Sequence, residues 1–134
     1  MFMLDQERVG PLYTKGHPSL EGRPIFTNAT PGTPDAAFVK MNNPLSEKIA
    51  DVVRKGYMVR TMADAGAAGV KAGDVRKRDA ALASGAQMVS TDYPFDEKSA
   101  VSGYAVRFEG STANVRCNPV VKVAGCKLDL IQER

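Results

Sequence analysis

The sequence predicts an α/β fold with parallel strands and an added C-terminal β-hairpin, and three observations carry that prediction. A helix-forming segment, a glycine and a short apolar strand follow one another twice, with Gly56 and Gly85 as the punctuation. The apolar runs end abruptly in polar and charged residues, as in "YMVRTMAD" from Tyr57 and "MVSTDY" from Met88. After Pro94 this grammar stops, and two alternating stretches flank "EGST".

Taken in order, residues 2–4 read as a strand ending at Asp5. Residues 10–22 are turn-rich and hold the only histidine, His17. Residues 24–27, "PIFT", are a second strand, and "NATPGTPD" over 28–35 is a loop dense in Pro, Gly and Thr. Residues 36–41, "AAFVKM", fit either a third strand or a single helical turn. The loop before them is too short for a helical crossover, so no parallel neighbour is assigned. Asn43 suits an N-cap and Pro44 the first helical position. Leu45, Ile49, Val52 and Val53 share one face, Arg54 and Lys55 complement the last turn, and Gly56 ends the helix. Strand 58–61 follows at once. Asp74 caps a second helix over 75–84, with apolar contacts from Ala80, Ala81 and Leu82; Gly85 stops it and strand 87–90 follows. Residues 104–108 and 114–116 read as hairpin arms, followed by a loop between Cys117 and Cys126. The chain thus divides into an α/β part over 1–96 and an appendage over 97–134.

The 134 residues suit one ordinary domain, and 43% hydrophobic with 25% charged residues mark a folded chain. No apolar run approaches the length needed to span a bilayer. The opening "MFMLDQERVG" has no basic leader and does not read as a signal peptide. A net charge of +3, interleaved with acids and accompanied by few aromatics, weighs against nucleic-acid binding. Cys117 and Cys126 fit either a short disulfide loop, which implies an oxidising compartment, or two unpaired thiols. With one histidine they are too few for a zinc site.

Polar residues just beyond the carboxyl ends of parallel strands form the site in α/β folds. Here these are Asp5, Thr27, Asn28, Arg60, Thr61, Asp64, Thr91, Asp92 and Tyr93. Arg60 is the sharpest candidate, because a guanidinium there offers forked donors to a phosphate or carboxylate. Asp64 or Asp92 then accepts from sugar hydroxyls or holds Arg60 in place. The competing reading is an ion pair that only seals the end of the sheet. His17 precedes a strand, which places it toward the amino end of the sheet, away from these residues. The sequence contains no nucleophile elbow, P-loop or complete dinucleotide fingerprint; Gly66 and Gly69 in "ADAGAAGV" match the last only in part. Arg76, Lys77 and Arg78 read as a solvated helix face, and three charges supply little attraction to a membrane.

Four stretches together resemble the bacterial calcium-dependent phosphoinositide phospholipase C family: "GHPSLEGRPIFTNATPGTPDAAFVKMNNP", "GYMVRTMADA", "RKRDAALASGAQMVSTDYP" and "VRCNPV". The resemblance covers nearly the whole chain, and "RDAALASGAQMVSTDYP" is its most specific part. Met62 stands where family members commonly carry a second arginine, and "AGAAGVKAGD" where they carry a more acidic or polar segment. The resemblance implies a TIM-barrel phosphodiesterase of which this chain is the carboxyl-terminal half, plus the hairpin.

In that family the two catalytic histidines and the calcium-binding carboxylates come from earlier strands. His17 is not at a matching position, and one imidazole cannot run a two-histidine acid–base mechanism. Met1 is accordingly expected to be an internal residue of a longer enzyme, and the isolated chain to be inactive. The complete enzyme would cleave the glycerol–phosphate bond of a phosphoinositide through inositol 2-hydroxyl attack, with calcium stabilising the phosphoryl charge. Arg60 would contact phosphate; Asp64, Asp92 and Lys40 would contact inositol hydroxyls or one another. Family members are usually exported, which implies a Cys117–Cys126 disulfide. Two other readings stand beside this one: a relative of the glycerophosphodiester phosphodiesterases, and a remnant or interaction module without turnover. An incomplete barrel has open strand edges, and three outcomes stand open for them: self-association, association with the missing half, or aggregation.

Overall fold

Short apolar stretches with polar ends become five parallel strands in the computed structural model, which describes residues 2–5, 7–46, 48–108, 114–127 and 131. β1 (Met3–Leu4) pairs with β2 (Phe26–Thr27), Met3 opposite Phe26 and Leu4 opposite Thr27. β3 (Phe38–Lys40), β4 (Met58–Met62) and β5 (Met88–Ser90) form a second parallel sheet in that order. Its register sets Lys40 opposite Arg60, and Arg60 opposite Met88. The stretch 36–41, open between strand and helix on sequence alone, therefore contains a strand.

The two sheets abut. The Ala29 N–H donates to the Phe38 carbonyl at 3.1 Å. A continuous parallel ladder would carry the Lys40 N–H to the Ala29 carbonyl. It goes instead to Asn28 Oδ1 at 2.9 Å, so the asparagine side chain replaces a rung and ends the ladder. Among the described residues no barrel closes, and β1 and β5 each have a strand partner on one side only.

Strand alternation gives the second sheet two different faces. Val39 and Val59 are register neighbours on the face that packs against helix α2 (Ile49–Arg54), preceded in the chain by the single turn α1 (Gly10–Tyr13). Ile49, Val53 and Val59 form the core cluster, with Met41, Val52, Tyr57, Ala86 and Val120 packed around it. Lys40, Arg60 and Met88 occupy the opposite face.

The helix expected from Asn43 begins only at Ile49, with Lys48 as its N-cap. The Ser46 N–H bonds the Asn43 carbonyl at 3.1 Å, closing a turn. Leu45, on the expected apolar face, is 61% exposed, so nothing packs there to stabilise a first helical turn. Helix α3 (Gly66–Lys71) was not anticipated, because its Gly- and Ala-rich sequence has little periodicity; Val70 alone is buried. Helix α4 (Arg76–Ala83) matches the second predicted helix to within a residue at each end. Its start is clamped by Asp74, which accepts from the Arg76 N–H at 3.1 Å and from the guanidinium at 3.0 and 2.7 Å. The Arg76 hydrogen bonds hold the Asp74 carboxyl down to about 2.

The turn of the expected hairpin falls on 109–113, outside the described residues. Its described arms are not strands: Val106 makes one parallel bridge to Pro94, and 114–116 form none. A disulfide joins Cys117 and Cys126, whose Cα atoms lie 6.0 Å apart. The segment after Cys117 packs on the α/β body rather than standing off it. Asn118 Nδ2 donates to the Gly85 carbonyl at 2.7 Å, and Val120 reaches the core cluster. No helix among the described residues is long and apolar enough to cross a membrane.

Candidate functional site

Parallel register brings the cations together. Lys40, the last residue of β3, and Arg60, in the middle of β4, are direct register partners, so both side chains leave the same face of the sheet side by side. Lys40 Nζ pairs with the Asp5 carboxylate beyond β1. Arg60 Nη1 donates to Asn42 Oδ1 at 2.7 Å, which orients the guanidinium from the loop after β3. Among the described residues Arg60 makes no ion pair, so the competing reading, a seal between Arg60 and an aspartate, has no contact behind it. Asn42 was missed on sequence; its only signal is its place two residues after Lys40 in "KMNNP".

Asp64 is 6% exposed and both its oxygens are engaged. Thr91 Oγ1 donates to Oδ1 at 2.8 Å and the Asp92 N–H to Oδ2 at 2.7 Å. Thr91 Oγ1 also accepts from the Tyr93 N–H at 2.9 Å. The exit of β4 is thereby tied to the exit of β5, and the Asp92 backbone is fixed. Tyr104 closes this knot from the C-terminal region. Its hydroxyl donates to the Ala63 carbonyl at 3.1 Å, and its ring meets Tyr93 edge-on at 5.8 Å. Burial pushes the Tyr104 phenol up, and the nearby Asp64 carboxylate adds to the shift. Tyr104 also had no sequence signal beyond being an aromatic in the expected hairpin.

The remaining strand-end residues serve the scaffold. Thr27 is buried and donates to Asp35 Oδ2 at 2.7 Å, while Thr33 Oγ1 donates to Oδ1 at 2.7 Å. Burial alone would raise Asp35; the Thr33 and Thr27 hydroxyls outweigh it and hold the carboxyl below its usual range. Thr61 is fully buried on the helix-facing side, and its hydroxyl has no partner among the described residues. His17 Nδ1 donates to the Glu21 carbonyl at 2.7 Å within its own loop.

A calcium ion takes six to eight oxygen ligands. Among the described residues no three His, Cys, Asp or Glu side chains gather. The Asp5 carboxylate is paired to Lys40, and that of Asp64 is filled by Thr91 and Asp92. These residues do not fit such an ion.

In this geometry two adjacent cations face one side of the sheet, and the β5 exit, tied to Asp64, carries an exposed Asp92. Such an arrangement can bind an anion and orient it. It contains no paired acid and base. Compared with known proteins, residues 1–119 match the family model described as phosphoinositide phospholipase C, Ca2+-dependent. No curated protein matches, and no solved structure does.

Proposed function

The chain belongs to the calcium-dependent phosphoinositide phospholipase C family, and from that membership we propose that it is the headgroup-holding part of a phosphoric diester hydrolase. Its five parallel strands are consecutive strands of the family's barrel, from the carboxyl-terminal half. The single observation behind this reading is the register pair Lys40–Arg60, two cations side by side on one face of neighbouring strands. Arg60, oriented by Asn42, binds the phosphate through its forked donors. Lys40 adds a second positive charge, shared with Asp5. Asp92 accepts from an inositol hydroxyl, and Asp64 supports it by fixing the loop that carries it.

The reaction class is cleavage of the glycerol–phosphate bond of a phosphoinositide. Nothing described here supplies the paired acid and base, so the 134-residue chain is expected to bind the headgroup weakly and not to turn over. Titration calorimetry with inositol 1-phosphate tests this. Arg60→Ala should weaken binding about tenfold or more, the scale of one charge-assisted bidentate contact. Lys40→Ala should weaken it less, because Asp5 already shares that charge. Equal affinity for Arg60→Ala and the parent chain removes Arg60 from the site. Glycerophosphocholine bound as tightly as inositol 1-phosphate would favour the glycerophosphodiester reading.

A further inference from the structure

We propose that this chain assembles with a second copy of itself, β1 of each copy laid in parallel on β5 of the other about a twofold axis that runs along the strands. Both outer strands offer backbone groups to a neighbour. The Ser90 carbonyl takes the Ala63 N–H at 3.0 Å, so ladder alternation turns the N–H and C=O of Val89 away from β4. The Phe2 and Leu4 carbonyls take the Phe26 and Asn28 N–H groups at 3.1 and 3.3 Å, so those of Met3 turn away from β2. Because all paired strands run parallel, a half-turn about an axis along them keeps every strand in the same direction. One operation then brings β1 of the second copy to β5 of the first and closes the reciprocal contact too.

Beside β5 lies a groove of about 380 Å³, lined in part by Leu82, Ala86, Met88, Val89, Val106 and Phe108. At the start of β1, Phe2 stands 77% exposed. The groove runs alongside the whole of β5, from Ala86 before it to Pro94 after it, so its amino-end part falls beside Phe2 when the two strands are laid together. Laying β1 on β5 therefore carries an exposed phenyl ring to an apolar groove, and both gain by leaving water. The same closure turns inward the sheet face that bears Met58, which is 37% exposed in one copy. It also turns Lys40 and Arg60 of both copies inward, since they share that face with Met58. The inference does not depend on the headgroup reading, and its test uses no ligand.

Sedimentation velocity of the 134-residue chain over about a hundredfold range of concentration decides it. The expected result is reversible formation of a species of about 28.8 kDa, twice the 14.4 kDa of one chain. Phe2→Asp changes a solvent-exposed residue and should raise the dissociation constant about tenfold or more with an unchanged circular dichroism spectrum. Val106→Asp should do the same from the groove side. A chain that stays monomeric throughout overturns the proposal. A dimer that survives both substitutions overturns the β1–β5 contact, and open-ended growth overturns the twofold closure.

Discussion

Tyr104 shows how one side chain joins three segments. It is 3% exposed, donates to the Ala63 carbonyl, and stands beside the filled Asp64 carboxylate. Tyr104→Phe keeps the ring and its contact with Tyr93 but leaves the Ala63 carbonyl without its donor. Chemical denaturation should show a loss of about 1–2 kcal/mol. The pH dependence follows from the direction of the shift. A phenol raised above its ordinary range near 10 contributes fully below that range, and the contribution is lost as the pH rises above it. Alkaline unfolding should therefore have a steeper pH dependence in the parent chain than in Tyr104→Phe. Equal slopes would remove Tyr104 from the linkage. The same scale explains Asp64. Its two accepted hydrogen bonds make it a strut for Asp92, a role that strand-end position alone does not reveal.

At the scale of elements, Gly56 and Gly85 look alike in sequence, each closing a helix and opening a strand. Both have positive φ, 90° and 78°. Their surroundings differ. A Cβ at Gly56 meets open space, whereas one at Gly85 lies 2.4 Å from Val120 Cγ2. Gly56→Ala should cost about 1 kcal/mol, the backbone term alone. Gly85→Ala should cost about 2–4 kcal/mol, because the overlap with Val120 adds to it. Thermal melts of the two variants test this, and equal losses would mean that the tail is not seated on Gly85. The shortened α2 teaches a related point. Capping signals at Asn43 and Pro44 were present, but an exposed Leu45 gave the first turn nothing to bury. Burial decided where that helix starts.

Over the whole molecule, the C-terminal segment from Arg116 to Val120 packs on the α/β part. Arg116 donates to the Leu82 carbonyl at the end of α4, Asn118 caps Gly85, and Val120 joins the cluster around Ile49, Val53 and Val59. The Cys117–Cys126 disulfide closes a short loop, of sequence separation 9, across this docked segment. Replacing both cysteines by serine should lower stability by about 2–3 kcal/mol, the loop-closure value for that length. A guanidinium titration with and without reductant measures it. A parent chain indifferent to reductant would show that docking, not the cross-link, holds the segment.

Much of the architecture was legible from local chemistry. Two glycine-punctuated repeats announced parallel α/β structure, and the polar strand ends named Arg60, Asp64 and Asp92 before any contact was visible; Lys40 entered only through the family resemblance. Those signals are short-range: capping, turn chemistry and the switch from apolar to polar along one segment. Register was beyond them. Nothing in "FVK" or "MVRTM" says that Lys40 lies opposite Arg60, since a slip by one residue would send the two to opposite faces. Nor does sequence show that Asn42 orients Arg60, that Asp64 is filled by Thr91 and Asp92, or that Val120 closes on Gly85. Each of these is a contact between segments far apart in the chain. Only the packed structure decides such contacts, because burial and the geometry of the sheet select which polar groups meet.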